Sequence, residues 1–163
     1  MTQSAKPPHV LAVASGGGHW AELRRLLPAW DGARVSYVVT DPGYRREVAA
    51  DPAAPDGTPP GFFVVPDANK TQKLRLIRLA VFMLIVVLRT RPDVVISTGA
   101  APGYFALRFG RMIGARTIWV DSIANADEVS VSGTLARGHS DLWLTQWPHL
   151  AQVGGPAHVG AVM

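Results

Sequence analysis

Four residues near the amino end, Gly16-Gly17-Gly18-His19, combine what an anion-handling site needs. Glycine lacks a Cβ and tolerates positive φ, so the backbone can come close to a ligand. Histidine titrates near neutrality and can take a proton from an attacking hydroxyl. The apolar run Val10 to Ala14 precedes the glycines, and Trp20, Leu23, Leu26 and Leu27 follow at spacings of three and four. That pattern predicts a strand-to-helix turn, with the free N–H groups of the helix start facing a phosphate or other anion. The turn does not complete a dinucleotide fingerprint, because Glu22 and Leu23 stand where a third glycine belongs, and it lacks the Lys-Ser/Thr of a P-loop. A tight turn with no ligand and a helix-capping histidine are the plain alternatives.

Two further stretches carry polar chemistry. Ser97-Thr98-Gly99-Ala100-Ala101-Pro102-Gly103 follows one apolar run and opens a helix, so it could offer N–H groups to a second phosphate or to a sugar. Asp121-Ser122-Ile123-Ala124-Asn125 follows the next run, and Asp121 could bind sugar hydroxyls or act as the base. Ordinary loop bonding and helix capping would explain both equally. His9, His139, His149 and His158 are scattered without an H-x-x-x-H pair, so no metal site is expected. No cofactor motif is present, and none is expected.

These segments need elements to hold them. Strands are predicted over His9 to Ala14, Arg34 to Thr40, Phe62 to Val65, Val94 to Ser97, Thr117 to Asp121 and Asp141 to Thr145. Helical patterns lie between them: His19 to Ala29, Tyr44 to Ala50, Gln72 to Arg91, Gly103 to Ile113 and Val131 to Arg137, with a short last helix over Pro148 to Val153. Asp51 to Gly61 holds Pro52, Pro55, Pro59 and Pro60 and reads as a surface loop. Strands spaced by crossover helices imply a parallel sheet, hence a Rossmann-like, doubly wound α/β domain of about six strands. Ligands in that fold sit beyond the carboxyl ends of the strands. Ser15 to His19, Thr40-Asp41, Thr98 to Gly103 and Asp121 to Asp127 all fall there. Their convergence is a stronger indication than any one of them.

At 163 residues with 48% apolar and 17% charged side chains, the chain is long enough for one domain with a real core. The absence of cysteine excludes disulfides and thiolate metal sites. A net charge of +4 is compatible with nucleic acid, a membrane surface or an anionic substrate. Its distribution narrows the choice. Leu79 to Leu88 contains no polar side chain, with Lys70, Lys73, Arg75 and Arg78 before it and Arg89 and Arg91 after it. Ten helical residues rise about 15 Å, roughly half a hydrocarbon core, so the stretch is too short to span. It is either a buried crossover helix or a monotopic surface with Phe82 and Leu84 toward lipid and the cations on anionic headgroups. Nucleic acid is not expected, because the cations do not interleave with aromatic side chains.

Taken together, Gly16-Gly17-Gly18-His19, Pro92-Asp93-Val94-Val95 with Thr98-Gly99, Val120-Asp121-Ser122-Ile123, Leu135, and Ser140-Asp141 with Gln146-Trp147-Pro148 resemble the Alg-type membrane-anchor subunit of the UDP-N-acetylglucosamine transferase and its bacterial PssD-type relatives. The likeness runs over nearly the whole chain, and a more distant one is to the N-terminal half of MurG. The resemblance implies one half of a split GT-B glycosyltransferase, the acceptor-side domain, working with a separate donor-binding subunit. A sugar would move from a UDP-sugar to a polyprenyl-diphosphate-linked acceptor at the cytoplasmic face of the plasma (inner) membrane. His19 and Asp121 are then the catalytic candidates. Gly16, Gly17, Gly18, Thr98, Gly99, Gly103, Ser122 and Asn125 are the acceptor-binding ones. Residues 154–163 become a candidate docking segment for the partner. Two departures stand out. Eukaryotic-type members carry an N-terminal transmembrane helix, whereas residues 1–8 here are short and polar, so attachment would rest on residues 70–91. The acidic residue of the Val-x-Ser-Ile segment is Glu in the family and Asp121 here. A membrane-recruiting scaffold without catalysis, and a free-standing nucleotide-binding domain, remain the rival readings.

Overall fold

The structure, a computed structural model, describes residues 6–68 and 71–162. Six parallel strands form one sheet: β1 (His9–Val13), β2 (Arg34–Val39), β3 (Gly61–Val64), β4 (Val94–Ser97), β5 (Arg116–Val120) and β6 (Leu142–Leu144), in the order β3-β2-β1-β4-β5-β6. This is the doubly wound order, and its switch point lies between β1 and β4.

Side chains of β1 alternate between two cores. Leu11 and Val13 face α3 (Lys73–Thr90), α4 (Ala100–Met112) and α5 (Val131–Ala136); Val10 and Ala12 face α1 (Gly18–Arg25) and α2 (Arg45–Ala49). Six strands and five helices thus stand close to where the sequence places them. The differences have local causes. The first helix ends at Arg25 rather than Ala29 and yields to a 3-10 turn over Leu27–Trp30, because Pro28 has no N–H to continue the ladder. The helix expected from Gly103 begins at Ala100; Pro102 falls in its first turn, where no N–H is required. The expected helix Pro148 to Val153 is only a 3-10 turn, Pro148–Leu150.

The long apolar run proves to have two different faces. Leu79, Met83, Val86 and Val87 of α3 are buried against the sheet and α4. Leu74, Ile77, Val81, Ile85 and Leu88 form a second stripe, each more than half exposed. Lys73, Arg75, Arg78 and Arg89 are exposed along the same helix, and the Arg78 guanidinium lies over the Phe82 ring. Phe82 is exposed and Leu84 half-buried, while Lys70 lies outside the described residues. Among the described residues, no helix is long and apolar enough to cross a membrane.

Candidate functional site

The switch point brings two strand-to-helix turns together. After β1, Gly17 takes φ +68° and starts α1; after β4, Gly99 takes φ +142° and starts α4. Ala100, the first residue of α4, holds a positive φ of 65°, a strained conformation for an L side chain. Among the described residues no side chain caps either helix, so the first-turn N–H groups that α1 and α4 carry have no capping partner.

His19 sits in that space, with its ring packed over Gly99. A Cβ added at Gly99 would lie 2.5 Å from His19 Cε1, so only glycine allows this approach. His19 Nδ1 donates to the Thr98 carbonyl at 3.0 Å, and the Thr98 hydroxyl donates back to the His19 carbonyl at 2.7 Å. A carbonyl can only accept, so Nδ1 carries the proton, and in the neutral ring Nε2 is left as the basic nitrogen. An open cleft of about 400 Å³ borders the ring, lined also by Gly18, Ala100, Ser122, Ala124, Asn125, Ser130, Val131 and Ser132. Of these lining side chains, His19 alone carries a nitrogen that can act as a base.

The other expected site residues divide between cleft and scaffold. Gly18, Ser122 and Asn125 line the cleft. Gly16 and Gly17 do not hold their N–H groups free for an anion. Gly16 N donates to Thr40 Oγ1 at 3.1 Å and Gly17 N to the Tyr44 hydroxyl at 2.9 Å, which fixes the turn. Thr98 is fully buried and positions His19 instead of meeting a ligand. The Gly99 N–H is taken by Ser97 Oγ at 3.1 Å. Gly103 faces away from the cleft: it is buried where α4 crosses β4, against Ser97 and Trp119.

Asp121 also departs from expectation. It is 2% exposed, and its carboxylate accepts from Trp119 Nε1 (3.0 Å), Ser130 Oγ (2.5 Å), Ser130 N (2.8 Å) and Asn125 Nδ2 (3.2 Å). Four donors occupy its lone pairs, so it has no free position from which to take a substrate proton. Asp121 braces the loop that carries Ser122, Asn125 and Ser130. Gly133 closes over Oδ1, where an added Cβ would lie 2.6 Å away, and this leaves little room for a longer carboxylate.

Sequence reasoning missed a second buried carboxylate. Glu22, one turn after His19 on α1, is 4% exposed and accepts from Ser122 Oγ, Ile123 N and Gln146 Nε2 at 2.8, 3.2 and 3.2 Å. Its one signal was spacing: three residues after His19 places it on the same helical face. Asp141 of the Ser140-Asp141 pair is a strand pin; the Thr117 N–H that it accepts holds its carboxyl below the usual range. A smaller hollow of about 200 Å³ lies under loop 51–60, at the amino end of β2. It is lined by two acids, Asp31 and Asp51; Asp51 is already taken by a bidentate bond from Arg24, and burial pushes the Tyr37 hydroxyl up to about 12. Among the described residues, no cluster of His, Asp and Glu could hold a metal ion.

No family model matches the chain. It is 29% identical over 169 aligned positions to the UDP-N-acetylglucosamine transferase subunit ALG14 of Eremothecium gossypii, covering 90% of this chain and 75% of that protein. The ALG14 subunit of Candida albicans is 26% identical over 152 positions, covering 83% and 69%. The crystal structure of Acinetobacter baumannii MurG superposes with a TM-score of 0.72 at 13% identity, covering 96% of this chain but 46% of MurG. The chain therefore spans about half of that structure and shares the Rossmann-like fold of one half of a GT-B protein. The resemblance drawn from the motifs holds: the chain is similar, over most of its length, to subunits of a glycosyltransferase.

Proposed function

We propose that this chain is the acceptor-side subunit of a two-component glycosyltransferase, acting at the cytoplasmic face of the plasma (inner) membrane. A separate donor-binding subunit would present a UDP-sugar (N-acetylglucosamine, a uronic acid or a hexose). The sugar would pass to a polyprenyl-diphosphate-linked acceptor in the building of a polysaccharide or lipid-linked oligosaccharide. The observation that carries this reading is the cleft at the β1–β4 switch point, whose one lining side chain with a basic nitrogen is a histidine with Nε2 free.

In this reaction His19 Nε2 takes the proton of the acceptor hydroxyl as its oxygen forms a bond to the anomeric carbon. The bond from that carbon to the UDP oxygen breaks, and UDP leaves on the partner. The uncapped starts of α1 and α4 favour negative charge in the cleft and suit the acceptor diphosphate. Asp121 and Glu22 hold the loop against which the acceptor sugar rests. Residues 154–162 are proposed as part of the partner-docking surface; Ala157 already lies in a bridge beside Leu144 at the sheet edge.

The outer stripe of α3 would seat the protein on lipid. Five half-exposed aliphatic side chains are worth roughly 1 kcal/mol each on burial, and four cations about 1 kcal/mol each near an anionic surface. The two contributions are comparable, so salt should weaken the attachment without abolishing it. In vesicle flotation, the chain is expected to rise with anionic vesicles at low salt, less so at high salt, and an Ile77→Glu/Ile85→Glu variant to stay at the bottom. No flotation of the wild type under either condition would remove the membrane assignment. The exposed stripe alone would also serve a non-catalytic recruiting scaffold. A transfer assay with the co-purified partner separates the two: as a scaffold, this chain would be dispensable for glycosylation of a soluble acceptor analogue.

A further inference from the structure

Residues near the carboxyl end are wired to the cleft through one buried amide. The Val162 N–H donates to Gln146 Oε1 at 2.8 Å, and Arg25 holds the Val162 carbonyl at 3.1 Å. On its other side, Gln146 Nε2 donates to Glu22 Oε2 at 3.2 Å and to the Asp121 carbonyl at 3.0 Å. Glu22 in turn accepts from the Ser122 hydroxyl and the Ile123 N–H, in the loop that forms one wall of the cleft. The partners settle the orientation of the amide. Turned over, it would set its oxygen against the Glu22 carboxylate and its NH2 against the Val162 N–H. Both Gln146 and Glu22 are at least 96% buried, so water cannot replace a lost donor, and a buried carboxylate short of a donor must shift toward another.

We infer that Gln146 is a positioning residue that couples segment 159–162 to the acceptor-side loop 121–125. The segment's hold on Oε1 sets the amide, the amide orients Glu22, and Glu22 fixes Ser122 and Ile123. Resting on the function proposed above, this means that a donor-binding subunit docking on 159–162 would tune the acceptor cleft without touching it. Coupling of this kind arises because a fully bonded polar network changes as a unit.

Amide hydrogen exchange on the intact chain tests the wiring without acceptor or partner. Gln146→Leu removes every bond of the amide at similar volume, and Val162→Pro deletes only the donor at the far end. Each is expected to speed exchange at Ile123 and Asn125 about tenfold, the size of one hydrogen bond at a buried site. The double variant is expected to exchange no faster than the faster single one, since both cut the same chain. Gln146→Glu separates the two halves: it keeps an acceptor for Val162 but sets a carboxylate against Glu22. The Val162 amide should stay protected while that of Ile123 is released. Amides of β1 are expected to stay at wild-type rates throughout. The inference is overturned if Val162→Pro leaves loop exchange unchanged, if the double variant shows the product of the single effects, or if all amides rise together. A failed transfer assay leaves this coupling standing, and a failed exchange result leaves the acceptor-site proposal standing.

Discussion

Alanine at His19 is expected to lower sugar transfer by two to four powers of ten in the presence of the donor-binding subunit, the usual contribution of a general base. Affinity for the lipid-linked acceptor should change little, because the ring contributes one nitrogen to a cleft formed largely by backbone and small polar groups. Asparagine is the sharper substitution. Its side-chain NH2 can reproduce the Nδ1 donation to the Thr98 carbonyl, so the local structure is kept, but nothing replaces Nε2. His19→Asn should therefore be as inactive as His19→Ala. If it retains turnover within a few-fold of wild type, His19 only holds the two turns together and the base lies elsewhere.

Removing the Asp121 carboxylate is expected to act first on stability. Asp121→Ala leaves Trp119 Nε1, Ser130 N and Oγ, and Asn125 Nδ2 without their acceptor, and the Trp119 donor, on a fully buried ring, is out of reach of water. Losing a buried charge with this many donors costs about 3–5 kcal/mol, which for a domain of this size is a fall in Tm of roughly 10 °C. Asp121→Asn, which keeps one acceptor oxygen, should lose less. Urea unfolding monitored by tryptophan fluorescence measures both. An Asp121→Ala protein as stable as wild type within about 1 kcal/mol, yet inactive in transfer, would return Asp121 to the chemistry.

The contrast between these two residues shows what the sequence could and could not reveal. His19 and Asp121 look alike as strand-end polar residues. Only the structure separates a ring left open on a cleft from a carboxylate enclosed by its own loop. The parallel sheet is readable because apolar runs alternate with helical patterns and glycines mark the turns. Glu22 and Gln146 are not readable. Their burial comes from contacts across 100 and 124 residues of chain, and a glutamate on an amphipathic helix otherwise reads as a surface residue. Helix α3 hides for another reason. When both faces are apolar, no periodicity distinguishes the core stripe through Leu79 and Met83 from the exposed one through Ile77, Val81 and Ile85. Gly103 and Thr98 share a motif with Gly99, yet helix direction turns the first into a packing contact and the second into a brace.

On the function proposed above, the β1–β4 cleft receives the acceptor and not the nucleotide sugar. Titrating a short-chain prenyl-diphosphate-linked N-acetylglucosamine into the isolated chain, with UDP-N-acetylglucosamine in parallel, tests it directly through amide NMR. The acceptor analogue should shift Gly18, His19, Ala100 and Asn125, and the nucleotide sugar should leave them in place. Saturable shifts of these amides with the UDP-sugar, and none with the acceptor, would contradict the account.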